Sequence, residues 1–326
     1  MEQTRYQWID IAKGIGIILV VYGHAMRGLI KASIIDNQLF NYIDTFIYSF
    51  HMPLFFLLSG IFFEKSIKKN MPGKFLTVKC KTILYPYVIY SLLQTGVEAL
   101  LSRYTNGGET LSSLYTCLFI PRAQYWFLFA LFFINLLNTA LYLYFKKIWL
   151  LISSVIGILY FLFPVNLSVF YGTFNFLIFF NLGILLSHII FRKDFFNRLL
   201  KIKYFIAVFF LFILSEYFYV CKSFQATYFS LIAAVSGSLF IVYLSIYLSI
   251  SSLIKLFVIS GKYSLEIYIM HVLFSAGVRI ILSNIFNIHN SLIHIMLGIM
   301  VGIFLPLSIM QLLKNWKWSG RLFRLP

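Results

Sequence analysis

Ten apolar runs, each near the length a helix needs to cross a bilayer, divide this chain from end to end. They lie approximately over residues 11–30, 41–63, 82–101, 124–145, 148–165, 170–191, 204–221, 227–250, 263–283 and 292–313. A spanning helix takes about 20 mostly apolar residues. The runs lack the period-two alternation of half-buried strands, so they read as helices. Only 11% of the residues are charged and 61% are hydrophobic. A soluble domain carries about a quarter charged residues, so lipid is the better solvent here. The expected fold is all-α: a polytopic transmembrane helical bundle of about ten spans, one domain over residues 1–326, without a sizeable soluble domain.

The net charge of +17 does not point to nucleic acid, because Lys and Arg sit in short clusters between apolar runs, as topology signals do. A cytoplasmic N-terminus puts Lys65, Lys68, Lys69, Lys74, Lys79, Lys81, Lys146, Lys147, Arg192, Lys193, Arg198, Lys201, Lys203, Lys255, Lys262, Lys314, Lys317, Arg321 and Arg324 inside. The outer side receives only Arg27, Lys31, Arg103, Arg122, Lys222 and Arg279. That asymmetry fits ten spans with both termini cytoplasmic, and the inner basic clusters suit anionic membrane lipids. Asp10 and Lys13 interrupt the start of the first run and no small-residue cleavage site follows it, so it is expected to stay in the mature protein. Cys80, Cys117 and Cys221 are widely spaced, giving neither a metal site nor a disulfide framework.

Polar groups at membrane depth need a partner or a purpose, since a charge at a helix centre costs about 2.5–3.5 kcal/mol on insertion scales. The first run keeps Asp10, Lys13, His24 and Arg27. Lys13 and His24 are 11 residues apart, which is three turns and nearly one face, with a rise of about 16 Å. Asp10 lies one turn before Lys13. One helix thus carries a polar stripe from the cytoplasmic mouth to the outer half of the membrane. Lys13 and Arg27 can also be read as snorkelling to opposite interfaces. His24 is either a proton carrier near neutral pH or half of an interhelical hydrogen bond. In the second run His51 precedes Pro53, which should kink the helix, and Ser59 and Gly60 suit close helix packing. The ninth run opens with Lys262 and Glu266, spaced as an i, i+4 ion pair, followed by Tyr268 and His271 one turn apart. His188, His289 and His294 fall near run ends and read as structural.

Four ordered blocks resemble the membrane acyltransferase 3 family. Arg5 and Trp8-Ile9-Asp10-Ile11-Ala12-Lys13-Gly14-Ile15-Gly16, then Gly23-His24, resemble its opening. Phe50-His51-Met52-Pro53-Leu54-Phe55-Phe56-Leu57-Leu58-Ser59-Gly60, Tyr125-Trp126-Phe127-Leu128 and Gly261 to His271 resemble its second, fourth and ninth spans. The resemblance implies ten spans in the bacterial inner membrane and transfer of an acyl group from cytoplasmic acyl-CoA, chiefly acetyl-CoA, to a sugar hydroxyl of an envelope polysaccharide or lipid-linked glycan. No metal is implied, and a homo-oligomer is left open. His24 falls on the family's catalytic position, with Asp10 expected to orient or charge-balance the stripe. Lys13 falls on the basic residue that serves the donor. A pair of arginines opening the family's third span is met here by Lys79 and Lys81, before Pro86. Lysine lacks the planar fork of arginine toward phosphate. His51, Trp126, Glu266 and His271, within the other blocks, are the expected substrate-binding residues. The rival expectation is a glycolipid transporter or flippase that uses the same buried groups as a proton relay. The lack of an evident internal repeat weakens it.

Overall fold

The computed structural model describes residues 2–36, 38–102, 110, 112–191, 201–221, 227–250, 254–313 and 322–323. Arg103, Asn106, Arg192, Lys193, Arg198, Lys222, Lys314, Lys317, Arg321 and Arg324 lie outside the described residues, as does the Arg5 side chain. The described residues form helices and no strand. In chain order these are α1 (Glu2–Lys31), α2 (Gln38–Gly60), α3 (Phe63–Lys69), α4 (Pro72–Lys79), α5 (Tyr85–Leu100), α6 (Ser113–Thr116) and α7 (Trp126–Phe145). They continue with α8 (Trp149–Leu162), α9 (Tyr171–Ile190), α10 (Ile202–Glu216), α11 (Thr227–Leu248), α12 (Lys255–Lys262), α13 (Ser264–Ile280) and α14 (Ser291–Leu313). A π-helical turn at Cys80–Leu84 joins α4 to α5, and another at Ile281–Ile285 extends α13.

Eight of the ten expected spans are helices long and apolar enough to cross a bilayer, and the chain is a multi-pass membrane protein. The other two are also helical. At 14 residues, α8 is about 21 Å long. α5 buries Gln94 and Thr95 on its inner face, which lowers its hydropathy without exposing polar groups to lipid.

α1 is the central helix, packed against α2, α11, α12, α13 and α14. Asp10, Lys13, His24 and Arg27 on it are half-buried against those helices. Two glycines let it touch α12 backbone to backbone. A Cβ on Gly14 would lie 2.0 Å from the Phe257 carbonyl oxygen, and one on Gly261 would lie 1.7 Å from that of Asp10. The same device joins α2 to α9, where Gly60 meets the Phe180 carbonyl and Gly183 meets that of Leu57. Small residues are how membrane helices approach closely when no hydrophobic force drives them together. Asn138, Asn181 and Ser153 close a ring of hydrogen bonds of 3.2, 2.8 and 2.6 Å that ties α7, α9 and α8. Each such bond is worth about 0.6 kcal/mol in a membrane, so the ring fixes register more than it adds stability.

The sequence expected Lys262 and Glu266 on one helix as an ion pair. Instead Tyr263 breaks the chain between α12 and α13. Lys262 ends α12, where its charge reaches Asp10 of α1. Glu266 is buried in the first turn of α13, close enough for its charge to act on Tyr90 of α5. An i, i+4 pair requires an unbroken turn, and the two residues belong to different helices.

Candidate active site

Where α1 nears its far end it meets α2 and α13, and three histidines gather there. The His24 and His271 rings are 5.1 Å apart, edge to face. His271 is fully buried, and its Nδ1 lies 2.8 Å from the Tyr268 carbonyl and 3.1 Å from that of Ile267. A carbonyl only accepts, so Nδ1 carries the hydrogen and Nε2 keeps a bare lone pair. That Nε2 is buried without a hydrogen-bond partner among the described residues. His51 is held in the same way, with Nδ1 donating 2.7 Å to the Ile47 carbonyl, one turn back in the helix that Pro53 interrupts. Its ring packs edge-on to Tyr48 at 4.7 Å. Arg27 lies 4.2 Å over the same Tyr48 ring and grips Asp44 through Nε and Nη2 at 3.2 and 2.6 Å. His24 itself is half-buried and lines a cavity of about 530 Å³ that Arg27, Trp126, Ser275 and Arg279 also line.

A second cavity, of about 850 Å³, adjoins the first across Tyr48 and Trp126, which line both. Its wall includes Ser49, Tyr171, Asn175 and Tyr219. Aromatic faces alternating with small polar groups suit a sugar, which offers C–H faces and hydroxyls at once. Behind Ser49, its hydroxyl bonds the buried Glu216 carboxyl at 2.5 Å.

The histidine cluster stands on a polar lattice. Gln94 on α5 accepts from Gln124 Nε2 at 2.7 Å and from the Tyr125 hydroxyl at 3.0 Å, and its own amide donates to Glu98 at 2.8 Å. Glu98 pairs with Arg122 at 3.3 Å. The Tyr125 hydroxyl also reaches the Ile269 carbonyl, and the Tyr268 hydroxyl donates to the Gln124 carbonyl. These bonds lock α5 and the turn before α7 to α13, two residues from His271. Buried networks rigidify what they surround, and here the Gln124 Oε1 alone is left buried without a partner among the network's described side-chain atoms.

The basic residues expected at the donor site collect at the other end of α1. The charges of Lys13 and Lys262 act on Asp10, and that of Lys13 acts on Lys79. Lys79 is half-buried, with its Nζ 5.0 Å from the centre of the Phe75 ring. Burial first, and the Lys13 ammonium second, hold Lys79 down to about 8. Lys81 is half-buried on the π turn that follows.

The structure thus brings His24, His51, His271 and Trp126 together and keeps Lys13 and Lys79 together elsewhere. Asp10 and Glu266 do not join the histidines. Asp10 is 14 residues from His24 on one helix, about 21 Å along its axis, so it belongs with the lysines and cannot touch a group that His24 touches. Residues at the site that were not expected there include Asp44, Glu98, Gln94 and Arg279. Their signal was a polar side chain inside an apolar run, which by itself names no chemistry.

A family model described as an acyltransferase domain matches residues 6–313. The nodulation protein NolL of Mesorhizobium japonicum is 30% identical over 162 residues, which is 49% of this chain and 42% of that protein. NolL of Sinorhizobium fredii is 31% identical over 163 residues, 49% of this chain and 43% of that protein. The match therefore spans less than half the length of either relative. No solved structure matches.

Proposed function

This chain belongs to the acyltransferase family, and from that membership we propose that it is a membrane O-acyltransferase of the bacterial inner membrane. In this reading it moves an acyl group, acetyl first among candidates, from cytoplasmic acyl-CoA to a sugar hydroxyl of an envelope polysaccharide or lipid-linked glycan. Both termini are cytoplasmic. The observation that carries the reading is the division of labour along α1: a lysine cluster at one end and, about 16 Å further on, His24 at a cavity large enough for a sugar.

Lys13, Lys79 and Lys81 hold the anionic part of the donor at the cytoplasmic mouth. The extended pantetheine arm then runs beside α1 and delivers the thioester to His24. A sugar hydroxyl is a weak nucleophile until a base takes its proton. His24 takes that proton as the oxygen attacks the thioester carbonyl. The C–S bond breaks, the acyl group stays on the sugar as an ester, and the leaving thiolate receives the proton from His24 to depart as free CoA. His271, fixed through Nδ1 by two backbone carbonyls, sets the orientation of the His24 ring. Trp126, at the junction of the two cavities, offers a face for the acceptor sugar.

The test is mass spectrometry of envelope glycans from cells with and without the gene, joined to an assay of CoA release by the purified protein. Loss of one acyl mass from a glycan, with acceptor-dependent CoA release, is expected. Movement of an unchanged glycolipid without CoA release would instead identify a transporter.

A further inference from the structure

Four cations line the 530 Å³ cavity beside His24: Arg27, Lys31, Arg122 and Arg279, against one carboxylate, Glu98. Two of the arginines have acidic partners of their own, Arg27 with Asp44 at 2.6 Å and Arg122 with Glu98 at 3.3 Å. Arg279 pairs with no carboxylate among the described residues. It is only 8% exposed, and its one hydrogen bond there is from Nη1 to the Gly28 carbonyl, at 2.6 Å. A guanidinium has five N–H donors, so most of this one is left for a ligand. Burying a charge without its counter-ion is costly enough that folds keep such a residue for a purpose.

The location narrows the ligand. Gly28 lies one turn beyond His24 on α1, so an anion seated on Arg279 sits about 6 Å further along the helix than the His24 ring. The donor cations Lys13 and Lys79 are some 20 Å away at the other end, which leaves this position to the acceptor. Resting on the acyltransferase reading, we propose that Arg279 binds a carboxylate or phosphate of the acceptor. The acceptor is then an acidic glycan whose anionic group lies on the acylated sugar or on its immediate neighbour. An arginine suits either group, since its planar fork matches both bidentately.

The glycan spectra of the deletion strain give the first test. The repeat unit that loses its acyl group should carry an anionic substituent on the same or the adjoining sugar. A neutral repeat unit overturns the assignment while leaving the acyltransferase reading intact; no acyl loss on any glycan removes that reading and this one with it. The second test uses unacylated oligosaccharide released from the deletion strain as a probe of protein in nanodiscs. Arg279→Gln should weaken its binding about 10- to 100-fold, with Arg279→Lys between, in phosphatidylcholine alone and equally with added phosphatidylglycerol. Unchanged binding overturns the proposal, and so does a loss seen only with phosphatidylglycerol, which would make the bound anion a lipid headgroup. Should Arg279→Gln not yield folded protein, carboxyl-reduced or dephosphorylated probe against the wild-type protein decides the matter: equal affinity for the neutralised probe overturns it.

Discussion

Backbone carbonyls hold His51 and His271 at Nδ1, whereas the ring of His24, packed edge to face on His271, makes no hydrogen bond among the described residues. Only His24 can turn to a substrate without giving up a bond to its own helix. A general base contributes about 100- to 10,000-fold in rate. His24→Gln keeps size and hydrogen bonding but cannot take a proton near neutral pH, so acceptor-dependent CoA release should fall by that factor while the protein inserts and purifies normally. Near-normal release would move the base to His51 or His271. Lys79 supplies a second prediction, with a sign. Its value of about 8 means it is charged below that pH and neutral above it. The KM for acyl-CoA should rise between pH 7 and pH 9, and Lys79→Arg, charged throughout, should flatten the profile. A flat wild-type profile would remove Lys79 from the donor site. His24, Lys13 and His51 were legible in the sequence because each is an expensive residue inside an apolar run. The role of Arg279 was not, since its meaning depends on a carbonyl 251 residues away and on a carboxylate that is not beside it.

The helices were legible for the same physical reason throughout: twenty apolar residues in lipid must satisfy their backbone internally, and a helix does so within the segment. What escaped was how they meet. Gly14 and Gly261 stand in separate motifs, and nothing local says that each faces the other's helix. The break at Tyr263 also had no proline to announce it, so the ninth run looked continuous and Lys262 seemed paired with Glu266. The α1–α12 contact can be tested directly. An alanine at 261 would put its Cβ 1.7 Å from the Asp10 carbonyl oxygen, and both partners there are backbone, which cannot rotate away. Overpacking of this kind costs about 1–3 kcal/mol. Gly261→Ala should therefore lower the thermal midpoint in detergent and, because it displaces α12 and Lys262 from Asp10, raise the KM for donor as well. Gly96→Ala is the matched control: a Cβ there meets nothing within 4 Å, and alanine favours a helix over glycine by about 1 kcal/mol. Its midpoint should hold or rise. An unchanged midpoint for Gly261→Ala would mean that α1 and α12 do not touch.

Over the whole molecule, the few basic residues assigned to the outer side look like exceptions to the charge rule until their partners are seen. Arg27 and Arg122 are neutralised by Asp44 and Glu98, and both line the cavity beside His24, as Lys31 and Arg279 do. Their place in the cavity wall accounts for them without a topology signal. With them set aside, the described cations that the charge rule still counts run from Lys65 through Lys81, with Lys146, Lys147, Lys201, Lys203, Lys255 and Lys262, all in segments that the sequence assigns to the inner side. The positive-inside rule then predicts a cytoplasmic N-terminus more firmly than the raw count does. Reporter fusions after Lys69 and after Lys201 should report cytoplasm, and one at Asn106 the outside. The fusion after Lys201 is the most demanding, because it depends on α8. At about 21 Å that helix is shorter than the roughly 30 Å hydrocarbon core and must thin the bilayer locally or lean on the residues that follow it. If α8 failed to cross, every later segment would invert. Lys201, Lys203, Lys255 and Lys262 would then face outward, and Lys262 could not lie beside Asp10 on the N-terminal side. An outside signal after Lys201, with an inside signal after Lys69 and an outside signal at Asn106 to show that α5 crosses, would point to α8 as the helix that does not span, and would separate the lysine cluster that the proposed donor site requires.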